Sequence, residues 1–224
     1  MRSPGSPSLR VNGGRRRVLS VKLHARHLAR LVTLHEEGRI AGHSNRTEEI
    51  MRALLAALRE SEELPKEAAA WPLAMLPHDI GKLAVPGEIL RKPGPLSPYE
   101  RGLIVLHTVE GREQLSWLAD QAAFLGDQAA AGVWRLAALV AGGHHERTDG
   151  QGYPLGLAGS ALPLVVRAAR AVDVYEALTA SRSYRESLSH EEAMRVMRFE
   201  EGGFDEKLLG ALDEAMAKQR VSAD

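Results

Sequence analysis

The sequence predicts an all-α fold, a helical bundle in a single folded domain, and three observations support this. Apolar residues recur at the intervals of three and four that place them on one face of a helix. Two helix starts carry N-terminal capping motifs. The sequence contains no long run of alternating apolar and polar residues, the pattern that would indicate a half-buried strand. The domain is expected to cover residues 18–224, after a basic tail at residues 1–17.

The tail has a composition unlike that of the rest of the chain. Its residues include five arginines and no acidic residue, interleaved with Ser, Pro and Gly. Since the whole chain balances 29 basic against 29 acidic residues, the remainder carries a net charge of −5. Such a tail is typical of a solvated, disordered arm, and contact with a polyanion is the alternative interpretation.

The first two predicted helices each present four apolar residues on one face. These residues are Val21, Ala25, Leu28 and Val32 in the first helix, and Ile50, Leu54, Ala57 and Leu58 in the second. The spacing predicts amphipathic helices that bury these faces in a common core.

Capping boxes predict where two later helices begin. Ser97-Pro-Tyr-Glu100 combines an N-cap hydroxyl, a proline at the first helical position and a glutamate at the third, and its helix runs through His107. Ser189-His-Glu-Glu192 repeats the pattern without the proline. Asp205 is expected to begin the last helix.

Proline and glycine indicate turns between these helices. Val85-Pro-Gly-Glu and Lys92-Pro-Gly-Pro are typical turn sequences, and a glycine-rich loop begins at Asp149.

Composition excludes several classes of function. With 44% hydrophobic and 26% charged residues the chain is an ordinary globular sequence, and it has no cysteine for disulfides, thiol nucleophiles or thiolate metal sites. Aromatic residues make up only 4%, and the body of the chain is acidic, which argues against a nucleic-acid partner. No apolar run approaches the roughly 18 residues of a membrane span, and no signal sequence is present, so we expect no membrane partner and a cytoplasmic location.

Histidines and aspartates carry the candidate chemistry. Four of the nine histidines, His24, His27, His35 and His190, are given no role, because a lone helical histidine is more often a surface or core residue. The other five occur with two aspartates and offer ligands that suit two closely spaced divalent ions. The candidate ligands are His43, His78, Asp79, His107, His144, His145 and Asp173.

The adjacent pairs have a geometric consequence. Neighbours on a helix point roughly 100° apart, so His78 and Asp79 can reach one ion only near a helix end, and the two oxygens of Asp79 could bridge to a second. His144 and His145 follow two glycines that should loosen the helix. Lys82, one turn after Asp79, places an ammonium where a phosphate on the metals would bind, which indicates a phosphoester substrate.

Three long motifs resemble those of the HD-GYP domain, the all-helical branch of the HD phosphohydrolases that degrades cyclic di-GMP. They occur in the order typical of that domain, and the resemblance covers about residues 37–199. The motifs are His78-Asp-Ile-Gly-Lys82, His144-His-Glu-Arg-Thr-Asp-Gly-Gln-Gly-Tyr-Pro154 and Asp173-Val-Tyr-Glu-Ala-Leu-Thr-Ala-Ser-Arg-Ser-Tyr-Arg185.

The resemblance implies a pair of metal ions and assigns their ligands. His43, His78, Asp79 and Asp173 would hold the first ion, and Asp79, His107, His144 and His145 the second. Members with a third ion carry a glutamate where this chain has Arg39, so we predict two ions. Fe or Mn is expected from the family, while the ligands alone would also accept Zn, Co or Ni.

The resemblance also implies residues that contact the substrate. Lys82, Arg182 and Arg185 would bind phosphate oxygens, and Gly152, Tyr153 and Pro154 would form a substrate-facing loop. Two alternatives stay open: the tyrosine only packs in its turn, or the arginines form surface ion pairs with Glu176 or Glu186.

Four departures from the family pattern have structural consequences. Pro77 precedes His78 and should kink or end its helix. Glu176 stands where aspartate is usual, and Thr148 where a bulky residue is common. The segment at 118–132 looks like extra length, as an added turn or lid, with a functionless surface insertion as the alternative.

The expected activity is hydrolysis of cyclic di-GMP to the linear dinucleotide, to GMP, or to both. A hydroxide bridging the two ions would attack phosphorus, with Asp79 and Lys82 as the catalytic residues. The alternatives are hydrolysis of another nucleotide, a catalytically silent cyclic-dinucleotide receptor, and a module that docks a signalling protein through the Gly-Tyr-Pro loop.

Overall fold

The computed structural model describes residues 13–35, 42–61, 63–181 and 186–221, and these residues form helices joined by turns and one long loop. Their only β-type pairing is a single bridge between Asp149 and Ala158, so the predicted all-α class is confirmed. In chain order the helices are α1 (Gly13–His35), α2 (His43–Ser61), α3 (Trp71–Met75), α4 (Gly87–Leu90), α5 (Pro98–Phe124), α6 (Gln128–Gly143), α7 (Leu164–Thr179), α8 (His190–Phe199) and α9 (Glu206–Val221). Within the described ranges, no helix is both long and apolar enough to span a bilayer.

Helix α1 begins before residue 18, where the folded domain was expected to start. The helix is already formed at Gly13, within the segment predicted to be a disordered arm. Arginine is a good helix former, so the arginines at 15–17 favour continuation of the helix rather than its end. Residues 1–12 lie outside the described part of the chain, and the disordered arm there stays a prediction.

The predicted apolar faces form the core. In α1, Val21, Ala25 and Val32 are buried and Leu28 packs at the edge of the core. The second helix, α2, packs against α3, α7 and α9 at the centre of the bundle. Fully buried side chains from these elements include Met51, Leu54, Leu58, Met75, Leu208, Leu209 and Leu212. Their burial removes apolar surface from water, which is the main stabilising contribution to such a bundle.

Side-chain caps begin the later helices as predicted. The Ser97 hydroxyl accepts from the Glu100 amide at 3.2 Å, and the Glu100 carboxylate accepts from the Ser97 amide at 2.7 Å. Ser189 and Glu192 form the same reciprocal pair. Asp205 caps α9 through its carboxylate, which accepts two backbone amides of the first turn.

Helices α5 and α6 form an antiparallel hairpin, and the segment 118–132, predicted as an added turn, a lid or a surface insertion, lies at its tip. The segment comprises the last turns of α5, a turn at Gly126 with φ of 78°, and the beginning of α6. Its alanines are strong helix formers, so extra length propagates the helices. The turn predicted at Val85-Pro-Gly-Glu leads directly into the single helical turn of α4, which begins at Gly87.

The chain around Pro77 is a turn, as the sequence predicted. Helix α3 ends at Met75, and residues 76–79 form a turn that leads into a 3₁₀ turn at Ile80–Ala84. Gly81 allows this turn to lie directly on α5, because a Cβ there would be 1.9 Å from the carbonyl oxygen of His107. The close approach brings the His78-Asp79 pair against α5.

Candidate metal centre

The predicted ligand side chains converge in the interior of the bundle, although they come from distant parts of the chain. Most of them are buried. They are His43 at the start of α2, His78 and Asp79 in the turn after α3, His107 on α5, His144 and His145 at the end of α6, and Asp173 on α7.

A first group consists of His43, His78 and Asp173. The two Nε2 atoms of its histidines are 3.1 Å apart. The Oδ1 atom of Asp173 is 3.3 Å from the Nε2 of His43 and 3.6 Å from that of His78. One ligand atom from each side chain can therefore reach a common point.

A second group consists of His107, His144 and His145. The Nε2 atoms of His107 and His144 are 3.4 Å apart. The ring of His145 lies 4.1 Å from that of His144 and 5.2 Å from that of His107, measured between centroids. These three side chains can also offer ligand atoms to one ion.

Asp79 lies between the two groups and presents one oxygen to each. Its Oδ2 is 3.8 Å from the Nε2 of His43 and 3.6 Å from that of His78. Its Oδ1 is 3.5 Å from the Nε2 of His107 and 3.7 Å from that of His144. A carboxylate in this position can bridge two ions.

The tautomers of four histidines fit a metal centre. Each has its Nδ1 at an acceptor: Glu176 for His43, and backbone carbonyl oxygens for His78, His107 and His144. With Nδ1 as the donor, the neutral form of each ring directs its Nε2 lone pair inward. The Nε2 atoms, paired at 3.1 Å and 3.4 Å and surrounded by carboxylate oxygens, are donor atoms that a divalent cation could bind together. The residues present therefore fit divalent metal binding.

His145 is held differently from the other four. No hydrogen bond to its ring is found in the described part of the chain. Instead the ring of Tyr153 stacks on it, with centroids 4.7 Å apart and an angle of 29° between the ring planes.

The two groups impose opposite shifts on histidine pKa values. Burial alone would lower the pKa of His43, but hydrogen bonds to Asp173 and Glu176 raise it to about 10. Burial lowers the pKa of His107 to about 4, against the opposing attraction of Asp79. Burial also lowers the pKa of His145, and the neighbouring His144 lowers it further. These shifts favour the charged form of His43 and the neutral forms of His107 and His145.

The aspartates are held as carboxylates. Burial would raise the pKa of Asp79, but Lys82 and His78 hold it well below its ordinary value. Burial opposes ionisation of Asp173 too, and hydrogen bonds from His43 and His78 lower its pKa well below the usual range. Both oxygens of each side chain are therefore available as ligands.

Lys82 lies beside the cluster as the motif predicted, with its Nζ 2.6 Å from Oδ2 of Asp79. Its side chain is only partly buried, so the ammonium is at the edge of the centre. The other predicted phosphate ligands, Arg182 and Arg185, lie outside the described residues, as does Arg39.

The sequence reasoning noted Glu176 only as a departure from the family pattern, and it missed both the contact of Glu176 with His43 and the role of Arg46. Glu176 is 1% exposed and accepts from Nδ1 of His43. Arg46 donates to Oε1 of the same carboxylate from Nε at 2.6 Å, and its Nη2 is 2.5 Å from that oxygen. One available signal was the position of Glu176, three residues after Asp173 on the same helix, where it faces the same side.

The Gly-Tyr-Pro loop folds back on the end of α6. The buried Glu146 carboxylate accepts from the amides of Leu155 at 2.7 Å and Leu157 at 3.1 Å. A Cβ on Gly152 would lie 2.4 Å from the amide nitrogen of Arg147 and 2.6 Å from the carbonyl oxygen of His145. Only glycine permits this approach, so the loop is in contact with the backbone that follows His144 and His145, which is called the ligand segment below.

The far side of this loop is attached to the turn between α8 and α9. The Thr148 hydroxyl donates to the carbonyl oxygens of Gly202 and Phe204, at 2.7 and 3.1 Å. The Arg147 guanidinium binds Asp149 and Glu200. Thr148 is thus an anchor of the loop, and its small size suits this position.

A family model described as "HD domain" matches residues 26–208. A protein of Vibrio cholerae named as a 3'3'-cGAMP-specific phosphodiesterase is 39% identical over 158 residues, which are 70% of this chain and 33% of the relative. A cyclic di-GMP phosphodiesterase of Pseudomonas aeruginosa is 38% identical over 175 residues, which are 76% of this chain and 39% of the relative. A cyclic di-GMP phosphodiesterase response regulator of Xanthomonas campestris is 38% identical over 136 residues, 60% of this chain and 33% of the relative. The chain therefore spans between a third and two fifths of the length of these relatives.

Proposed function

The chain belongs to the HD domain family, as its motifs predicted, and from this premise we propose that it is a metal-dependent phosphodiesterase that hydrolyses cyclic di-GMP. The observation that carries the proposal is the position of Asp79, with one oxygen toward each of two clusters of histidine lone pairs. The relatives named above as phosphodiesterases of cyclic dinucleotides support the substrate class.

We propose that the centre holds two divalent ions, Fe or Mn. His43, His78, Asp79 and Asp173 would hold one, and Asp79, His107, His144 and His145 the other. When bound, the ions supply Lewis acidity for the phosphate oxygens and for the attacking water. The mixed imidazole and carboxylate donors suit these metals, and Zn, Co and Ni also accept such ligands.

The chain's own residues would orient the phosphodiester and balance its charge. Asp79 fixes the separation of the two groups, because both of its oxygens are engaged. Lys82 would donate from Nζ to a non-bridging phosphate oxygen, since its ammonium lies 2.6 Å from Asp79 at the edge of the cluster. This charge stabilises the phosphate most strongly as negative charge accumulates during attack.

Further substrate contacts are proposed from the family resemblance. Arg182 and Arg185 would bind phosphate oxygens of the substrate. Gly152, Tyr153 and Pro154 would border the nucleotide, and a signalling protein docked on this loop is a further proposal of the resemblance. We also propose a cytoplasmic location, as expected from the sequence.

A second candidate substrate is 3'3'-cGAMP, which differs from cyclic di-GMP in one purine. It is favoured by the relative from Vibrio cholerae that is named for this nucleotide. The phosphodiester linkages are the same in both, so the metal centre described above serves either substrate. The choice between them would depend on contacts to the bases.

The test is turnover of a panel of nucleotides by protein purified without oxygen and loaded with Mn²⁺ or Fe²⁺. We expect cyclic di-GMP to be opened to the linear dinucleotide or to GMP, and chromatography of the products distinguishes the two. Asp79→Ala should abolish turnover, while Asp120→Ala, which removes an exposed carboxylate from α5, should retain it. Equal turnover by wild type and the Asp79 variant would refute the scheme, and binding without turnover in the wild type would indicate a receptor.

A further inference from the structure

His145 is the exception among the histidines of the centre. Each of the other four donates from Nδ1 to a carboxylate or a carbonyl oxygen, and this hydrogen bond sets both tautomer and ring orientation. His145 has no such partner in the described part of the chain. It is also more exposed than His144 beside it. Some other contact must therefore orient its imidazole.

The described contact that can do so is the ring of Tyr153. The two rings are stacked, with centroids 4.7 Å apart and planes at 29°. The rings of His107 and His144 also approach His145, but at 78° and 43°, so they contact it by an edge or a tilt. A near-parallel stack restricts the tilt of the imidazole, because the contact area between the two rings decreases when either ring rotates out of the parallel arrangement.

The loop is built to hold Tyr153 in this place. Its amide donates to the carbonyl oxygen of His145 at 3.3 Å, so backbone and side chain contact the same residue. Gly152 permits this close approach, and the buried Glu146 carboxylate fixes the loop beyond the tyrosine. A residue that only faced the substrate would not require these attachments to the ligand segment.

We propose that Tyr153 is a positioning residue. Its stacked ring, in place of a hydrogen bond, holds the His145 imidazole toward His107 and His144, the other two members of the second group. The glycine and the tyrosine of the Gly-Tyr-Pro loop then act together: Gly152 brings the loop onto the backbone, and Tyr153 orients the ligand. The inference rests on the proposed metal centre, but it does not depend on which nucleotide is hydrolysed.

The experiment is a calorimetric titration of the metal-free protein with Mn²⁺, in the absence of nucleotide. We expect wild type to bind two ions, and Tyr153→Ala to bind one of them about tenfold more weakly, the lower end of the effect of losing an outer contact to a ligand. Tyr153→Phe retains the aromatic face and should bind both ions as wild type does. Leu155→Ala, which removes an exposed side chain from the same loop, is the matched control and should also bind both.

Three results would overturn the proposal. Wild-type affinities in Tyr153→Ala would mean that the tyrosine serves the substrate or a partner. Equal weakening in Tyr153→Phe would assign the effect to the hydroxyl. Equal loss of both ions in Tyr153→Ala would indicate general damage to the fold rather than release of one ligand.

A second measurement on the metal-free protein separates this inference from the proposed function. In the NMR spectrum, stacking should shift the ring protons of His145 upfield. The shift should persist in Tyr153→Phe and disappear in Tyr153→Ala. If the wild type bound no metal, the proposed function would fail while this test of the stack would still stand, and an unshifted His145 in wild type would contradict the stack itself.

Discussion

The two histidine groups on either side of Asp79 differ in the chemistry that surrounds their ligand atoms. The first contains Asp173 and has the Glu176 carboxylate behind His43, so it is rich in negative oxygen atoms. The second consists of three imidazoles and shares only Asp79. The comparison teaches that two adjacent ligand groups that share one carboxylate can be chemically unequal, with a harder set of donors on one side and a softer set on the other.

Removing the shared ligand should have the largest effect, because it acts on both groups. Asp79→Asn keeps the size of the side chain but replaces the anionic oxygens that face the two sides. We expect loss of both ions and a decrease in turnover of about 10³-fold or more, since Lewis acidity contributes several kcal/mol. Elemental analysis and steady-state kinetics measure the two effects, with Asp120→Asn as the control. Retention of both ions would show that Asp79 is not the bridge.

Removing a ligand from one group should affect one ion and leave the other. We expect His43→Ala and His145→Ala each to retain one metal ion per chain and to lose at least about 100-fold in turnover. Metal content after exhaustive dialysis checks this, and His24→Ala, which removes an exposed histidine from α1, controls for loss of an imidazole. If either variant lost both ions, the groups would bind cooperatively and not as separate sites.

Competition between metals should sharpen the difference in donor hardness. When metal-free protein is supplied with Mn²⁺ and limiting Zn²⁺, we expect zinc to concentrate at the imidazole-rich second group and manganese at the first. Anomalous diffraction at the two absorption edges identifies the metal at each position. The reverse distribution, or an equal mixture at both positions, would contradict the assignment of harder and softer sites.

Changing the carboxylate behind His43 should have a smaller effect, confined to the first group. Glu176→Gln keeps a hydrogen-bond acceptor for Nδ1 but removes the charge, and we expect the first ion to bind about tenfold more weakly and the second to be unaffected. Mn²⁺ titration measures both affinities. Exposed Glu113→Gln on α5 is the control. If Glu176→Gln weakened the binding of the second ion instead, the assignment of Glu176 to the first group would be contradicted.

A buried carboxylate outside both groups should change stability only. Glu48 on α2 has Oε1 2.5 Å from Arg52 and 3.3 Å from Lys22. Burial raises its pKa, but these cations outweigh that effect and lower the pKa below 4.5. The stabilisation is therefore present at neutral pH and lost as the pH falls through the folded-state pKa.

We accordingly expect Glu48→Gln to reduce the free energy of unfolding by about 1 kcal/mol at neutral pH, a modest value because the cations are partly exposed. The difference from wild type should shrink as the pH falls below 4.5. Urea denaturation across this range measures it. A difference in the free energy of unfolding that grows on acidification would contradict the lowered pKa of Glu48. A lower metal content of Glu48→Gln at neutral pH would contradict an effect on stability alone.

Much of the fold and the identity of the clustered side chains could be predicted from the sequence, because both depend on local signals. Helix periodicity and the capping boxes at Ser97 and Ser189 are set within a few residues. The paired ligands stand in adjacent positions that the motifs identify. For the segment 118–132 the sequence left an added turn, a lid and a surface insertion open, because unusual length does not reveal whether a helix simply continues.

The contacts that orient the ligands could not be predicted in the same way. His43 meets Glu176 only because α2 packs against α7, since the two residues are 133 positions apart in the sequence. The stack of Tyr153 on His145 depends on how the loop is attached to Glu146 and to the α8–α9 turn. Such contacts follow from tertiary packing, and a single sequence contains no local pattern for them.

The most direct measurement is a crystal structure of the protein grown with Mn²⁺, with anomalous scattering recorded at the manganese edge. The account predicts two peaks, one ligated by the first group and one by the second, with a different oxygen of Asp79 bound to each. A single peak, or two peaks of which one is not ligated by Asp79, would contradict it.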